Sequence, residues 1–187
     1  MKSILIISGS PRAGQNSEQI AKFCADVALK RNFNTDVVIV HDMVISPCIS
    51  CDGCKKKGVC VKMDGMQSIY PKMEKADAII VCSPVYMGSV SAQVKIMMDR
   101  SVSLRRNGFK LKNKICAGVA IGGSRNGGQE LAMQVIHAWA HIHGMIIVGD
   151  NSHFGGICQA PFEKDEVGKK TVEDCINKVC DVLSLLK

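Results

Sequence analysis

The chain has 187 residues, 47% of them hydrophobic, which is close to the usual size of one domain and supplies enough apolar surface for a sizeable core. Its longest uncharged apolar runs are strand-sized, far below the ~20 residues that cross a bilayer, so no membrane span is expected. The formal charge of +7 is scattered apart from Lys55, Lys56 and Lys57, and only 4% of residues are aromatic, which argues against nucleic acid as a partner.

In chain order, Ile4, Leu5, Ile6 and Ile7 form a continuous apolar run that ends in Ser8-Gly9-Ser10, the pattern of a strand buried on both faces. Lys2 is the only charge before this run, which is too short for a signal-peptide core, so a cytoplasmic location is expected. From Ser17 the apolar positions Ile20, Ala21, Cys24, Val27, Ala28 and Phe33 follow helical spacing, with Asn16 or Ser17 placed to cap the start. Runs over 37–40, 78–82, 115–121 and 145–148 read as four further buried strands. Helical periodicity covers 66–75, 92–103, 129–143 and 172–186. This alternation predicts a single α/β domain over 1–187, a doubly wound five-stranded parallel sheet of order 2-1-3-4-5. Residues 41–65, after the second strand, break the pattern with a polar, Gly- and Cys-rich stretch, and a loop that long in a compact domain is usually functional.

Three of the strand-to-helix loops are unusual. The first, 8–17, offers small residues, hydroxyls, free backbone N–H groups and the Arg12 guanidinium at a helix N-terminus, which suits a terminal phosphate. It lacks both the G-x-G-x-x-G fingerprint and the Walker lysine, so a mononucleotide fits better than NAD or ATP. The loop after the third strand, Ser83-Pro84-Val85-Tyr86-Met87-Gly88-Ser89, offers a stiff backbone, one ring and a close approach for a flat ligand such as isoalloxazine. The loop after the fourth, 122–130, opens a helix with four glycines and can present backbone donors to ring carbonyls. In a sheet of this order the three meet at the topological switch point.

Ten cysteines in a chain of this length without an export signal point to metal binding before disulfides. Cys48, Cys51, Cys54 and Cys60 form CxxCxxCxxxxxC, with Gly53 and Gly58 between them. Four thiolates from one loop suit a [4Fe–4S] cluster. Structural zinc, which usually takes two separated CxxC knuckles, is the alternative.

Gly9-Ser10-Pro11-Arg12 with Asn16-Ser17, then Ser83-Pro84-Val85-Tyr86, then Gly127-Gly128-Gln129-Glu130 resemble the NADPH-dependent FMN reductase family over almost the whole chain. The resemblance implies a flavodoxin-like fold in which Ser10, Arg12, Asn16 and Ser17 hold the FMN phosphate. It implies that Pro84, Val85, Tyr86, Met87, Gly88 and Ser89 frame the ring together with Gly122, Gly123, Ser124, Gly127 and Gly128. Within that family, the four-cysteine insertion is similar to that of the iron–sulfur flavoproteins, which implies a homodimer or tetramer that takes electrons from ferredoxin.

The expected function is therefore that of an electron-transfer flavoprotein or oxidoreductase. It would pass electrons between a [4Fe–4S] cluster on Cys48, Cys51, Cys54 and Cys60 and FMN, then to an acceptor the sequence does not name, with no dedicated catalytic acid or base. One rival is an NAD(P)H-dependent FMN or quinone reductase with a zinc-bound or empty cysteine loop; another is a redox-sensing binding module. Lys55, Lys56 and Lys57 could attract an acidic donor. Cys24, Cys82, Cys116, Cys175 and Cys180 read as core or helix residues, and Cys158, in a Gly-rich loop, as a candidate reactive thiol. His137 and His141 lack a third metal ligand, and Trp139 reads as core or subunit interface.

Overall fold

The structure, a computed structural model, describes residues 1–186. Its elements are β1 (Ser3–Ser8), α1 (Asn16–Lys30), β2 (Asn34–Ile39), a short 3-10 turn (Val40–Asp42), α2 (Gly53–Lys57), α3 (Met66–Lys75), β3 (Ala78–Pro84), α4 (Ala92–Arg100), α5 (Val102–Arg106), β4 (Ile115–Gly122), α6 (Gln129–Ile142), β5 (Ile146–Ile147), β6 (Gly156–Gln159) and α7 (Glu166–Leu185). The strands pair in parallel in the order β2-β1-β3-β4-β5, as the alternation predicts.

The apolar runs are continuous because each strand is covered on both faces. Ile4 and Ile6 join the core under α1 and α7, whereas Leu5 and Ile7 join the core under α3, α4 and α6, the period-two alternation of a pleated strand. Ile80 and Ile79 divide between the same two faces. Each such isoleucine, removed completely from water, contributes roughly 2–3 kcal/mol.

Four local differences from the sequence reading have physical causes. At the start of α1 neither Asn16 nor Ser17 caps the helix: both lie inside its first turn, with Gln15 at the cap position and no side-chain cap bond. The predicted helix over 92–103 is broken at Ser101, whose hydroxyl, buried with no exposure, donates back to the Met98 carbonyl at 2.6 Å, a bond that competes with the helical ladder. The edge of the sheet is shared by two short strands, because β5 pairs with the start of β4 and β6 with its end. Finally, α7 begins six residues before the predicted 172, because Asp165 accepts from the Gly168 N–H at 3.1 Å and caps a polar first turn that has no apolar period.

Residues 41–65 are not structureless. They carry the end of the 3-10 turn and α2, and Met43, Ile45 and Cys60 pack on the core that underlies α3 to α6. Among the described residues no helix is long and apolar enough to cross a membrane.

Candidate functional site

Beyond the carboxyl ends of β1, β3 and β4 lies a pocket of about 220 Å³. Ser10, Arg12, Asn16 and Ser17 line it from the first loop, Pro84, Val85 and Tyr86 from the second, and Gly122 and Gly123 from the third. Gln15, Ile121 and Ala160 complete the wall; Ala160 reaches it from beyond β6, an element without a periodic signal. Ser10 Oγ accepts from the Arg12 N–H at 3.1 Å and so curls the loop around its own backbone. Asn16 Oδ1 accepts from the Phe162 N–H at 2.8 Å, which commits its oxygen and leaves its amide N–H groups as donors. The start of α1 has no side-chain cap, and the first N–H engaged within the helix is that of Glu18, on the Gln15 carbonyl, so the N–H groups of Asn16 and Ser17 face the loop available to an anion. An arginine, two hydroxyls, an amide and an open helix N-terminus form a donor set that fits a terminal phosphate.

Met87, Gly88, Ser89, Ser124, Gly127 and Gly128 lie outside the lining of this pocket. They shape the loops instead. Tyr86 and Ser89 exchange two backbone hydrogen bonds, 2.9 and 3.0 Å, around Met87 (φ 49°) and Gly88 (φ 74°), a tight reversal that leaves Met87 fully exposed. A Cβ at Gly128 would meet Gly88 Cα at 3.4 Å, so the second and third loops touch backbone to backbone. Gln129, buried with no exposure, then folds back over the third loop: its Nε2 donates to the Ser124 carbonyl at 2.7 Å, and its Oε1 accepts from the Gly127 N–H at 2.8 Å. Arg125 in that loop pairs with Asp165 at 2.5 Å.

The second constellation is the cysteine segment. Cys48, Cys51, Cys54 and Cys60 all border one cavity of about 550 Å³, whose far wall is Val135, Trp139 and Ile142 of α6. Cys54 is buried, Cys60 half-buried, and Cys48 and Cys51 are exposed. The four border the cavity without converging on a point: among the described residues no three His, Cys, Asp or Glu side chains stand close enough to hold a single metal ion. Ser50 and Asp52, on either side of Cys51, hold φ at 52° and 56°. Left-handed backbone outside glycine costs about 1–3 kcal/mol per residue and concentrates at functional sites.

Two arginines from the α4–α5 pair reach the sulfurs. Arg100 Nη2 donates to Cys60 Sγ at 3.5 Å, and Arg106 Nη1 to Cys54 Sγ at 3.7 Å. Burial works against a Cys60 thiolate, but the Lys62 backbone, the Tyr70 hydroxyl and the Arg100 guanidinium outweigh it and bring the thiol below its ordinary pKa. Arg100 Nε is buried without a partner among the described residues, a spare donor beside the cavity that an anionic group could satisfy. Four thiol donors, cationic neighbours and an unpaired N–H together fit an anionic cluster held by thiolates. Lys55, Lys56 and Lys57 form the exposed side of α2 within the same segment.

The remaining candidates resolve plainly. Cys158 lies on β6 with no exposure, and burial raises its thiol well above the ordinary range, so it is a core residue, not a reactive one. Cys116 and Cys175 are buried too, with thiols pushed up to about 12. Trp139 is 6% exposed and joins the core; its Nε1 donates to Ser101 Oγ at 2.9 Å, while its edge faces the cysteine cavity. His143, which no sequence signal singled out, contacts the same Ser101 hydroxyl at 2.8 Å and stacks edge-on against Trp139.

The family model described as NADPH-dependent FMN reductase matches residues 2–158. An iron-sulfur flavoprotein of Methanosarcina thermophila is 54% identical, the match covering 97% of this chain and 95% of that protein. Another, of Methanocaldococcus jannaschii, is 42% identical over 98% of both chains. Among solved structures, the WrbA-like flavodoxin of Agrobacterium tumefaciens superposes with a TM-score of 0.73 at 20% identity over the whole of both chains, a likeness of fold.

Proposed function

We infer the function from one premise: the chain belongs to the NADPH-dependent FMN reductase family and, within it, to the iron–sulfur flavoproteins. It is accordingly an FMN-linked redox protein with an iron–sulfur cluster. More finely, we propose that Cys48, Cys51, Cys54 and Cys60 ligate a [4Fe–4S] cluster. In this reading FMN sits in the pocket of Ser10, Arg12, Asn16, Ser17, Pro84, Val85, Tyr86, Gly122 and Gly123, and reduced ferredoxin is the donor. A cluster handles single electrons and a flavin one or two, so together they convert one-electron donors into two-electron reductions.

One observation carries the reading: a single segment brings four cysteines to one cavity, while three loops of the same chain line a separate pocket at the switch point of the sheet. Arg12 and the open end of α1 supply the positive field for a phosphate. Pro84 and the paired turn at Tyr86 hold the second loop stiff. Val135 and Trp139 give the cysteine cavity an apolar wall on the side of α6. Lys55, Lys56 and Lys57 favour approach of an acidic protein such as ferredoxin. Leu131 and Ile142, exposed on α6, are apolar surface that supports assembly of the chain as a homodimer or tetramer.

Anaerobic rapid mixing with reduced ferredoxin and, separately, with NADPH tests the choice of donor. Fast loss of visible absorbance with ferredoxin and slow loss with NADPH is the expected result. The reverse order would assign the chain to a pyridine-nucleotide-driven reductase.

A further inference from the structure

Arg100 carries a charge into the interior with 1% of its side chain exposed. A buried guanidinium is costly unless its donors are paired, so its partners show what it holds. Nη1 donates to the Ser46 carbonyl at 2.7 Å and to Asp64 Oδ2 at 2.7 Å. Nη2 donates to Asp64 Oδ1 at 3.1 Å, to the Lys62 carbonyl at 3.4 Å and to Cys60 Sγ at 3.5 Å. All of these partners lie between 46 and 64, the stretch that carries the four cysteines. Asp64 reinforces the knot by accepting from the Ser46 N–H at 3.0 Å and the Met66 N–H at 3.1 Å. One side chain thus joins the two ends of the cysteine segment and touches one of its sulfurs.

Arg106 repeats the motif near the surface, with Nη1 donating to Asp52 Oδ1 at 2.6 Å and to Cys54 Sγ at 3.7 Å. Its side chain is 33% exposed, so solvent and salt screen it where they do not screen Arg100. An N–H donor on a ligating sulfur withdraws negative charge and stabilises the reduced, more negative state of an iron–sulfur group, which raises its reduction potential.

We propose that Arg100 is a positioning residue that ties the cysteine segment at both ends and, through its N–H contact with Cys60 Sγ, sets the cluster at a higher reduction potential. Arg106 acts in the same direction on Cys54 with a smaller effect. The inference rests on the reading that these cysteines hold an iron–sulfur cluster.

The test uses full-length protein prepared without air, with iron and acid-labile sulfide measured first and the reduction equilibrium of the metal group then titrated against redox dyes. Arg100→Lys keeps the charge but shortens the fork, and should shift the equilibrium at least tenfold toward the oxidised form, a potential lower by about 59 mV for one electron. Asp64→Asn keeps Arg100 but removes its competing anion, and should shift the equilibrium the opposite way. Arg106→Gln should shift it less than Arg100→Lys. General loosening of the loop would not produce shifts of opposite sign. If one variant fails to load iron, the sign in the other decides. Same-direction shifts, or shifts under twofold in iron-loaded protein, would overturn the proposal, whereas absence of iron from the parent protein would instead refute the cluster reading beneath it.

Discussion

Gln129 Nε2 donates to the Cys158 carbonyl at 3.0 Å across 29 positions of sequence, tying the start of α6 to β6. The same amide also serves Ser124 and Gly127, so one buried side chain shapes the third loop of the switch-point pocket from behind.

Gln129→Leu preserves volume and removes these bonds, leaving two carbonyls and one N–H without their partner. Unpaired buried groups cost roughly 1–3 kcal/mol each where they cannot reach water. A net loss of about 2–4 kcal/mol is expected, with FMN affinity reduced about tenfold or more. Thermal unfolding of flavin-free protein and fluorescence titration with FMN measure the two effects. Unchanged affinity would remove the third loop from the ring site.

Arg12 is the one guanidinium lining the small pocket. Arg12→Ala should weaken FMN binding by roughly 10- to 100-fold, as expected for loss of one charge-assisted contact. Binding of riboflavin, which has no phosphate, should barely change. Equal weakening of both ligands would contradict a phosphate role for this loop.

His143 gives the pH dependence. Burial, with Arg105 adding repulsion, holds its pKa down at about 4, against about 6.5 in the unfolded chain. Between these values the unfolded state binds the extra proton, so stability is complete above about pH 6.5 and falls as pH drops toward 4. The loss should approach roughly 2–3 kcal/mol, seen as a lower urea midpoint at pH 4.5 than at pH 7.5. His143→Gln should flatten this slope, and an unaltered slope would place the titrating group elsewhere.

Neutralising Lys55, Lys56 and Lys57 together with glutamine should slow reduction by ferredoxin and flatten its dependence on salt. All three are exposed on α2, so folding should not suffer. Stopped-flow rates at several ionic strengths measure the effect; identical rates and slopes would reject α2 as the docking element.

The sheet is legible in the sequence because strands covered on both faces need uninterrupted apolar residues, as Ile4 to Ile7 and Ala78 to Cys82 show. The first pocket-lining loop and the cysteine segment are legible because their residues are local: Ser10 to Ser17 share one turn of chain, and all four cysteines fall within thirteen positions. What organises them is not local. Arg100 reads as an ordinary helical charge, and nothing near it in sequence announces an Asp64 partner 36 positions away. The Asn16 side chain reads as a helix cap until its oxygen is found on the Phe162 N–H, 146 positions further on. Ser101, which breaks the predicted helix, is explained only once Trp139 and His143 are seen around its hydroxyl. The short strand at 156–159 escapes notice because its few residues show no alternation and borrow their burial from β4 and α7.

Metal and flavin content of the anaerobically purified chain tests the account most directly. It predicts about four iron atoms and four acid-labile sulfides beside one FMN per chain, with the iron lost and the FMN kept when Cys54 or Cys60 is replaced by alanine. Stoichiometric zinc, or bound flavin with neither iron nor sulfide after reconstitution, would contradict it.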